Sequence, residues 1–332
     1  MRLSRVNLSV RCDIGATTPY LLELTLRLAA GLEHVPEPQR KLHAGIFRSQ
    51  QCDDGGFSGR DGQSDLYYTA FALRGLVLLG ELESDVAEHV GRFLRKRMQG
   101  SASLIDLISL VFAARLLEVS AGVKVFDQIE SQWSASLAAM FEELRRPDGG
   151  YARSAEGHAS STYQTFLIAL TYELIELPLP EADRACEFVL NKQRPDGGFV
   201  EIGVMSRSGA NPTAAAVGTL RVLGSQGPKQ WLSSEVKEAV AQFLLDSVTD
   251  EGGFRANTQI PIADILSTFT ALQTLRDVGG WDQVDTEAAL KFVNSLQGEA
   301  GGFHAALWDE MVDVEYSFYG VGSLGLLLGE SS

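Results

Sequence analysis

The chain has 332 residues, 45% of them hydrophobic, which is enough to bury a sizeable core, and a formal charge of −15 from 43 acidic and 28 basic side chains. A surface of that sign repels phosphate backbones, and the largest basic cluster, Arg92, Arg95, Lys96 and Arg97, falls at the end of an amphipathic helix, where cations suit the helix dipole; a nucleic-acid partner is excluded. Cys12, Cys52 and Cys186 show no paired spacing and no apolar run approaches the ~20 residues of a membrane span, so a disulfide framework, a zinc knuckle and a spanning helix are excluded and a cytoplasmic setting is expected.

Residues 1–41 hold Arg2, Arg5 and Arg11 and an apolar run from Tyr20 to Leu32 broken by Glu23 and Arg27, a pattern unlike a signal peptide. They are expected to form a helical extension packed on one domain spanning 42–332. Within that domain, Gly-Gly-aromatic recurs at Phe57, Tyr151, Phe199, Phe254 and Phe303, with gaps of 94, 48, 55 and 49 residues. The first gap is double the others, so a copy is missing. An apolar pair lies 11 residues before each aromatic, from Ile46-Phe47 to Phe292-Val293, and counting 11 on from Phe93-Leu94 reaches Leu104, where Ala102-Ser103 replace the glycines. Six copies are therefore expected, one with a lost turn.

Each copy reads as two helices. The first is amphipathic: Ala289, Phe292, Val293 and Leu296 fall on one stripe of a 3.6-residue period, opposite Glu287, Lys291 and Asn294. The second is apolar almost all round, as in Leu104 to Val119, Thr162 to Leu174, Pro212 to Leu223, Ile265 to Leu275 and Val314 to Leu327, and must be buried or line an enclosed cavity. Between them the glycine pair permits the positive φ of a tight reversal. Six such hairpins describe an all-α fold with an outer and an inner helix ring, an α/α toroid (α6-α6 barrel). A linear solenoid is the other geometry, but the last apolar helix lacks the polar character of a cap.

Polar residues near the starts of the inner helices would line the hole. Asp65, Asp106, Asp264 and Asp313 share one repeat position, shared also by Thr162 and Pro212, and such carboxylates serve as N-caps or hold a cation. Just inside lie Tyr67, Tyr68, Tyr163, Phe269, Tyr316, Phe318 and Tyr319, aromatic faces that suit an isoprenoid chain or a carbocation if they are not simply core. His158 and His304 fall in rim loops. Asp309-Glu310-x-x-Asp313 reads as a magnesium-type acidic motif, while phosphate-loop, serine-hydrolase and zinc-protease signatures are missing from the sequence.

Gln-Arg-Pro-Asp-Gly-Gly-Phe at Gln193 to Phe199, echoed at Gln51 to Phe57 and Arg145 to Tyr151, resembles the repeat of protein prenyltransferase β subunits and of squalene cyclases. Glu310 to Asp313 and Ile262 to Leu275 are most similar to the geranylgeranyltransferase type II β subunit. The resemblance implies a toroid with a hydrophobic pocket for a prenyl diphosphate or terpenoid chain, and a helical protein partner or a second copy of the chain as a homodimer. It also implies a zinc site formed by Asp, Cys two residues later and His in the next copy; here those places hold Asp264, Leu266 and Tyr316, and one carboxylate cannot build a tetrahedral zinc site. Zinc is therefore not expected, and magnesium is the metal left open. The family's diphosphate-binding His, Arg, Lys and Tyr correspond to Gly209, Thr258, Pro261 and Ser267, with Arg207 and Arg255 nearby, and a His-Ala pair occurs one copy early at His158-Ala159. The cyclases' Asp-x-Asp-Asp window reads Pro261-Ile-Ala-Asp264, with Ala263 in place of the acid.

These readings make the chain an isoprenoid-binding, prenyltransferase β-like protein with zinc-free transferase or cyclase chemistry. Asp264 and Tyr316 are the candidate catalytic residues, and Tyr67, Tyr68, Tyr163, Phe269, Phe318, Asp65, Asp313 and His158 contact the substrate. A catalytically silent isoprenoid carrier and a protein-interaction scaffold are the alternatives.

Overall fold

A computed structural model of the chain describes residues 18–98, 103–126, 130–225, 227 and 229–329; Arg2, Arg5, Arg11, Cys12 and Ala102 lie outside the described residues. After α1 (Tyr20–Leu32), helices of two kinds alternate. The amphipathic kind comprises α2 (Glu37–Ser49), α4 (Ser84–Arg97), α6 (Glu130–Leu144), α8 (Ala182–Leu190), α10 (Ser234–Leu245) and α12 (Thr286–Ser295). The apolar kind comprises α3 (Leu66–Leu78), α5 (Leu104–Ala121), α7 (Thr162–Leu174), α9 (Ala210–Gly224), α11 (Ile265–Val278) and α13 (Val314–Leu328). On α12 the buried side is Ala289, Phe292 and Val293, three of the four residues of the expected stripe.

The ends of the inner helices follow their capping chemistry. Asp65, Asp264 and Asp313 each cap their helix, accepting from the backbone N–H three residues on. Such a cap is worth about 1 kcal/mol. Asp106 differs: Ser103 is the cap of α5 and Asp106 closes a capping box with it one turn inside. Helix α9 starts at Ala210 behind Gly209, which places Pro212 in the first turn, where no backbone donor is required. Helices α5 and α11 run past their expected ends to Gly122 and Gly279, both left-handed, which terminate them.

The chain divides into two compact units. One holds the described residues of 22–131 and 296–329, the other 19–21 and the described residues of 132–295. In the first, α3 packs between α5 and α13, with α2 behind α3 and α13, and α4 behind α5. In the second, α9 packs between α7 and α11, with α8 and α10 behind them. At the start of α1, Tyr20 covers the C-terminal ends of the second unit's inner helices: its hydroxyl donates to Asp277 Oδ2 (3.0 Å) and its backbone N–H to Glu173 Oε2 (3.0 Å), while Arg221 pairs with the same Asp277. In the first unit the C-terminal part of α13 lies against α1, so close that a Cβ on Gly325 would come within 2.6 Å of the Leu28 carbonyl oxygen.

The turns explain the repeat. The first glycine of each pair has a φ between 88° and 97°, and a Cβ there would strike the carbonyl oxygen of a neighbouring outer helix: His89 for Gly55, Arg184 for Gly149, Ala239 for Gly197, Ala288 for Gly252. Gly301 makes the same contact with Leu42 of α2, so the sixth copy docks on the first as the first, third, fourth and fifth dock on their successors. The second glycine generally serves a different need from the one expected. At Gly198 a Cβ would meet Ser208 at 2.5 Å and Phe243 at 2.8 Å, so close packing rather than conformation excludes a side chain there. The aromatic that follows is fully buried, and its backbone N–H donates to a hydroxyl in the next inner helix: Thr69, Thr165, Thr213, Thr268 and Ser317 receive Phe57, Tyr151, Phe199, Phe254 and Phe303. In α5 the equivalent place is Leu107, so the degraded copy has lost this anchor as well as its glycines.

Candidate functional site on the α3–α13 wall

Short ladders bring the turn aromatics beside the caps. β1 (Phe57–Ser58) pairs antiparallel with β2 (Ser64–Asp65) and β3 (Tyr151–Ala152) with β4 (Ser160–Ser161), while single bridges Phe199–Gly209 and His304–Val312 do the same in two other copies. The inner helices therefore begin in register. In the first unit this sets residues of α3 and α13 that are 248 positions apart face to face: the Tyr67 hydroxyl donates to Glu315 Oε1 at 2.8 Å, and Tyr319 also bonds that carboxyl. Both Tyr67 and Glu315 stand two residues after their caps, the same position of the repeat.

Aromatic rings continue the wall away from this pair. Phe71 lies edge-on to Tyr67, Phe318 and Tyr319 with centroids 4.9, 5.3 and 5.5 Å away, and Tyr68 meets Tyr67 at 5.4 Å, all within the range of favourable ring contacts. The guanidinium of Arg74 is 3.9 Å from the Phe318 centroid and 4.9 Å from Phe112 of α5, bridging the helices on either side of α3. At the rim, Arg60 of the β1–β2 loop reaches Asp313 Oδ2 and Asp309 Oδ2, both at 2.7 Å, and its Cζ sits 5.4 Å from the centre of the Tyr316 ring. The acidic Asp309–Asp313 motif thus holds a guanidinium.

Electrostatics divide these acids into two kinds. Burial raises the Glu315 carboxyl above its usual range, and the charge of Asp313 adds to this against the Tyr67 hydrogen bond. Burial acts upward on Asp309 as well, but the hydrogen bonds from Arg60 and from the Met311 and Ala305 N–H groups, with the charge of Arg60, together outweigh it and leave that group below its usual value. A carboxyl raised in this way beside aromatic rings is the better placed of the two to donate a proton; one lowered by arginine favours its anion.

Of the residues expected at the site, Tyr67, Tyr68, Tyr316, Phe318 and Asp313 belong to this wall. Asp65 caps α3 at its edge and is raised by burial, with Asp106 and Asp61 adding to the effect. The others lie in the second unit. Asp264 accepts from the Ser267 N–H and hydroxyl, both at 2.7 Å, and burial raises its carboxyl too. Phe269 is buried in α11; Tyr163 is 41% exposed, its N–H turned to Glu201 Oε2; His158 is exposed in the loop before β4. Sequence reasoning missed Glu315, Arg60 and Arg74. Glu315 was legible as the only acid two residues after an inner-helix cap, whereas Arg60 and Arg74 gave no signal, because their partners come from distant copies.

The residues at the zinc positions do not fit the metal. Leu266 has no donor atom, and both oxygens of Asp264 are engaged by Ser267; among the described residues no group of three or more His, Cys, Asp or Glu side chains is arranged to hold a metal ion. Nor, among the described residues, is any helix long and apolar enough to cross a membrane.

Fold and wall together define a helical-hairpin repeat protein with an aromatic, acid-bearing inner surface. The chain matches the prenyltransferase alpha-alpha toroid domain over residues 30–233 and 216–331 and belongs to that family; its fold is the α/α toroid. It is 28% identical over 202 residues to the geranylgeranyl transferase type-1 subunit beta of Arabidopsis thaliana, a match covering 58% of this chain and 52% of that protein. The chain thus spans about half the length of this relative. Among solved structures, it is similar to Candida albicans protein geranylgeranyltransferase-I complexed with GGPP, with a TM-score of 0.64 at 16% identity, covering 86% of this chain and 90% of that one. It is also similar to a type II terpene cyclase from Scytonema in complex with geranylgeranyl dihydroxybenzoate, with a TM-score of 0.58 at 15% identity, covering 93% and 98%. At these identities the likeness to the solved structures carries the fold alone.

Proposed function

We propose that the chain binds an isoprenoid along the α3–α13 wall and acts on it without zinc, with Glu315 as the proton-donating acid. The observation that carries this reading is the half-buried Glu315 carboxyl, hydrogen-bonded by Tyr67 and set among Phe71, Phe318 and Tyr319. Proteins of similar fold carry geranylgeranyl groups in their complexes, which supports the ligand class. Tyr316 and Asp313 hold Arg60 at the rim, and a magnesium ion would have to displace that guanidinium. Asp264 is the competing acid. Relatives described as beta subunits support a helical protein partner, and the free thiols of Cys52 and Cys186 support a cytoplasmic setting.

The test uses the full chain with geranylgeranyl diphosphate and geranylgeraniol as probes, binding followed by native mass spectrometry and products by gas chromatography. Glu315→Gln should keep binding and lose product formation by about 10²–10⁴-fold, the usual worth of a general acid. Equal turnover by wild type and Glu315→Gln removes the acid role, and failure of both probes to bind removes the isoprenoid. A second reading, a carrier that holds an isoprenoid unchanged, is favoured by the absence of a zinc donor at Leu266; binding without products in wild type would establish it.

A further inference from the structure

The seam where the sixth copy docks on the first differs from the other seams in one residue. After the carbonyl that meets the first glycine, four other outer helices, α4, α8, α10 and α12, place Val90, Ala185, Val240 and Ala289, all buried and apolar, whereas α2 places His43, which is 1% exposed. The turn it faces differs as well. In three copies an Asp two residues before the second glycine accepts that glycine's N–H: Asp54 from Gly56, Asp148 from Gly150 and Asp196 from Gly198, at 3.1, 3.2 and 3.1 Å. The sixth copy has Ala300 there, and Gly302 donates instead to Nδ1 of His43 at 3.1 Å.

His43 is stacked on Phe303 with centroids 5.0 Å apart and planes 20° from parallel, and its buried Nε2 has no hydrogen-bond partner among the described residues. An imidazole accepting at Nδ1 carries its proton on Nε2, so the ring is held neutral. The geometry points to His43 as a proton-operated latch: protonation removes the only lone pair that holds the Gly302 N–H and loosens the contact of the sixth copy with the first, and with it the α3–α13 wall.

The ring titrates at about 4, lowered by burial alone. The titratable groups on the elements packed against it are Tyr67, Tyr68 and Arg74 of α3, Glu315, Tyr316 and Tyr319 of α13 and Glu299 and His304 of the turn, beside Glu37, Arg40, Lys41 and Arg48 of α2 itself, and the lowering comes from burial rather than from any of them. With the seam open, His43 returns to its ordinary value of 6.5, so the open form takes up a proton that the closed form refuses between pH 6.5 and 4. Acid therefore favours opening, by about tenfold per pH unit in that window.

Amide hydrogen exchange of residues 297–304 in the full chain, corrected for intrinsic rates, tests this without any ligand. Wild type should lose protection about tenfold per unit from pH 6.5 toward 4.5. His43→Asn, whose amide oxygen can take the place of Nδ1 but does not titrate, should keep protection flat over that range. His43→Val, which restores the residue found at two of the other seams, should be less protected at every pH with an equally flat profile. A wild-type profile as flat as that of His43→Asn, or a His43→Asn profile as steep as wild type, overturns the latch.

Discussion

The fifth and sixth copies are near repetitions of each other, Asp264 to Thr270 against Asp313 to Tyr319, and they take the same backbone path, yet they carry different chemistry. Both aspartates cap an inner helix and both caps are followed by a turn-anchoring hydroxyl. Two residues after the cap, however, the fifth copy has Leu266 and the sixth has Glu315; three after it stand Ser267 and Tyr316. Ser267 turns back onto its own aspartate, closing the site on itself, while Asp313 is open to Arg60 from the first copy and Glu315 to Tyr67. The repeat dictates where functional side chains can stand, and substitution at a few register positions decides which copy uses them.

The largest expected effect follows directly from this contrast. Glu315→Gln should cost turnover about 10²–10⁴-fold, equivalent to roughly 3–5 kcal/mol of barrier, whereas Asp264→Asn, which keeps a capping side chain, should cost about 0.5 kcal/mol of stability and little turnover. Product formation and denaturant midpoints of the two variants would show it. The reverse ranking would move the chemistry to the fifth copy.

Second comes the seam itself. Gly301→Ala should destabilise by about 2–5 kcal/mol, because φ of +97° is strained for alanine and its Cβ would lie 2.5 Å from the Leu42 carbonyl oxygen. Gly62→Ala is the control: its φ is +75° but nothing lies within 4 Å, so strain alone, about 1–2 kcal/mol, should remain. Urea unfolding separates them; equal losses would mean that the contact between sixth and first copies contributes nothing.

These residues also show what the sequence could and could not reveal. The glycines, the buried aromatics and the outer stripe are local and periodic, so copy number and helix kind were legible, and Thr162 to Leu174 was placed to the residue. The capping aspartates were legible too, except that Ser103 displaces Asp106 by the stronger capping box. The candidate site is legible only in part: Tyr67, Phe318 and Asp313 carry a lining signal in the repeat, while Arg60 carries none, because nothing local tells a rim arginine that its carboxylates lie 249 and 253 residues away. The equivalence of Tyr67 and Glu315 is a register fact that becomes a contact only when the last inner helix returns to the first.

Third, the pH dependence should have opposite signs at the two ends of this seam. Glu315 titrates above its ordinary value in the fold, so its contribution to stability is complete below about pH 4.5 and is lost as pH rises through the raised value. Glu315→Gln should therefore melt higher than wild type at pH 8, with the gap closing toward pH 4.5. His43 behaves oppositely: its contribution is complete above pH 6.5 and is lost on acidification toward 4. Melting curves of both single variants across pH 4.5–8 would show wild-type stability bounded on both sides, and parallel profiles would refute the assignment of either group.

The smallest effect belongs to Arg60, and it sharpens the contrast between a carboxyl lowered by arginine and one raised by burial. Its side chain is 36% exposed, so screening leaves the pairs with Asp309 and Asp313 worth about 1 kcal/mol or less, and Arg60→Gln should lose that much at low salt and less at high salt. The informative consequence lies next door. Arg60 is the cation that pulls the Glu315 titration down, against burial and the charge of Asp313. Without it Glu315 should hold its proton to still higher pH, and the alkaline limb of the activity profile should move upward while the maximum rate changes little. A downward or absent shift would mean that Arg60 does not act on Glu315, leaving Asp313 and Glu315 as independent acids that merely share a helix turn.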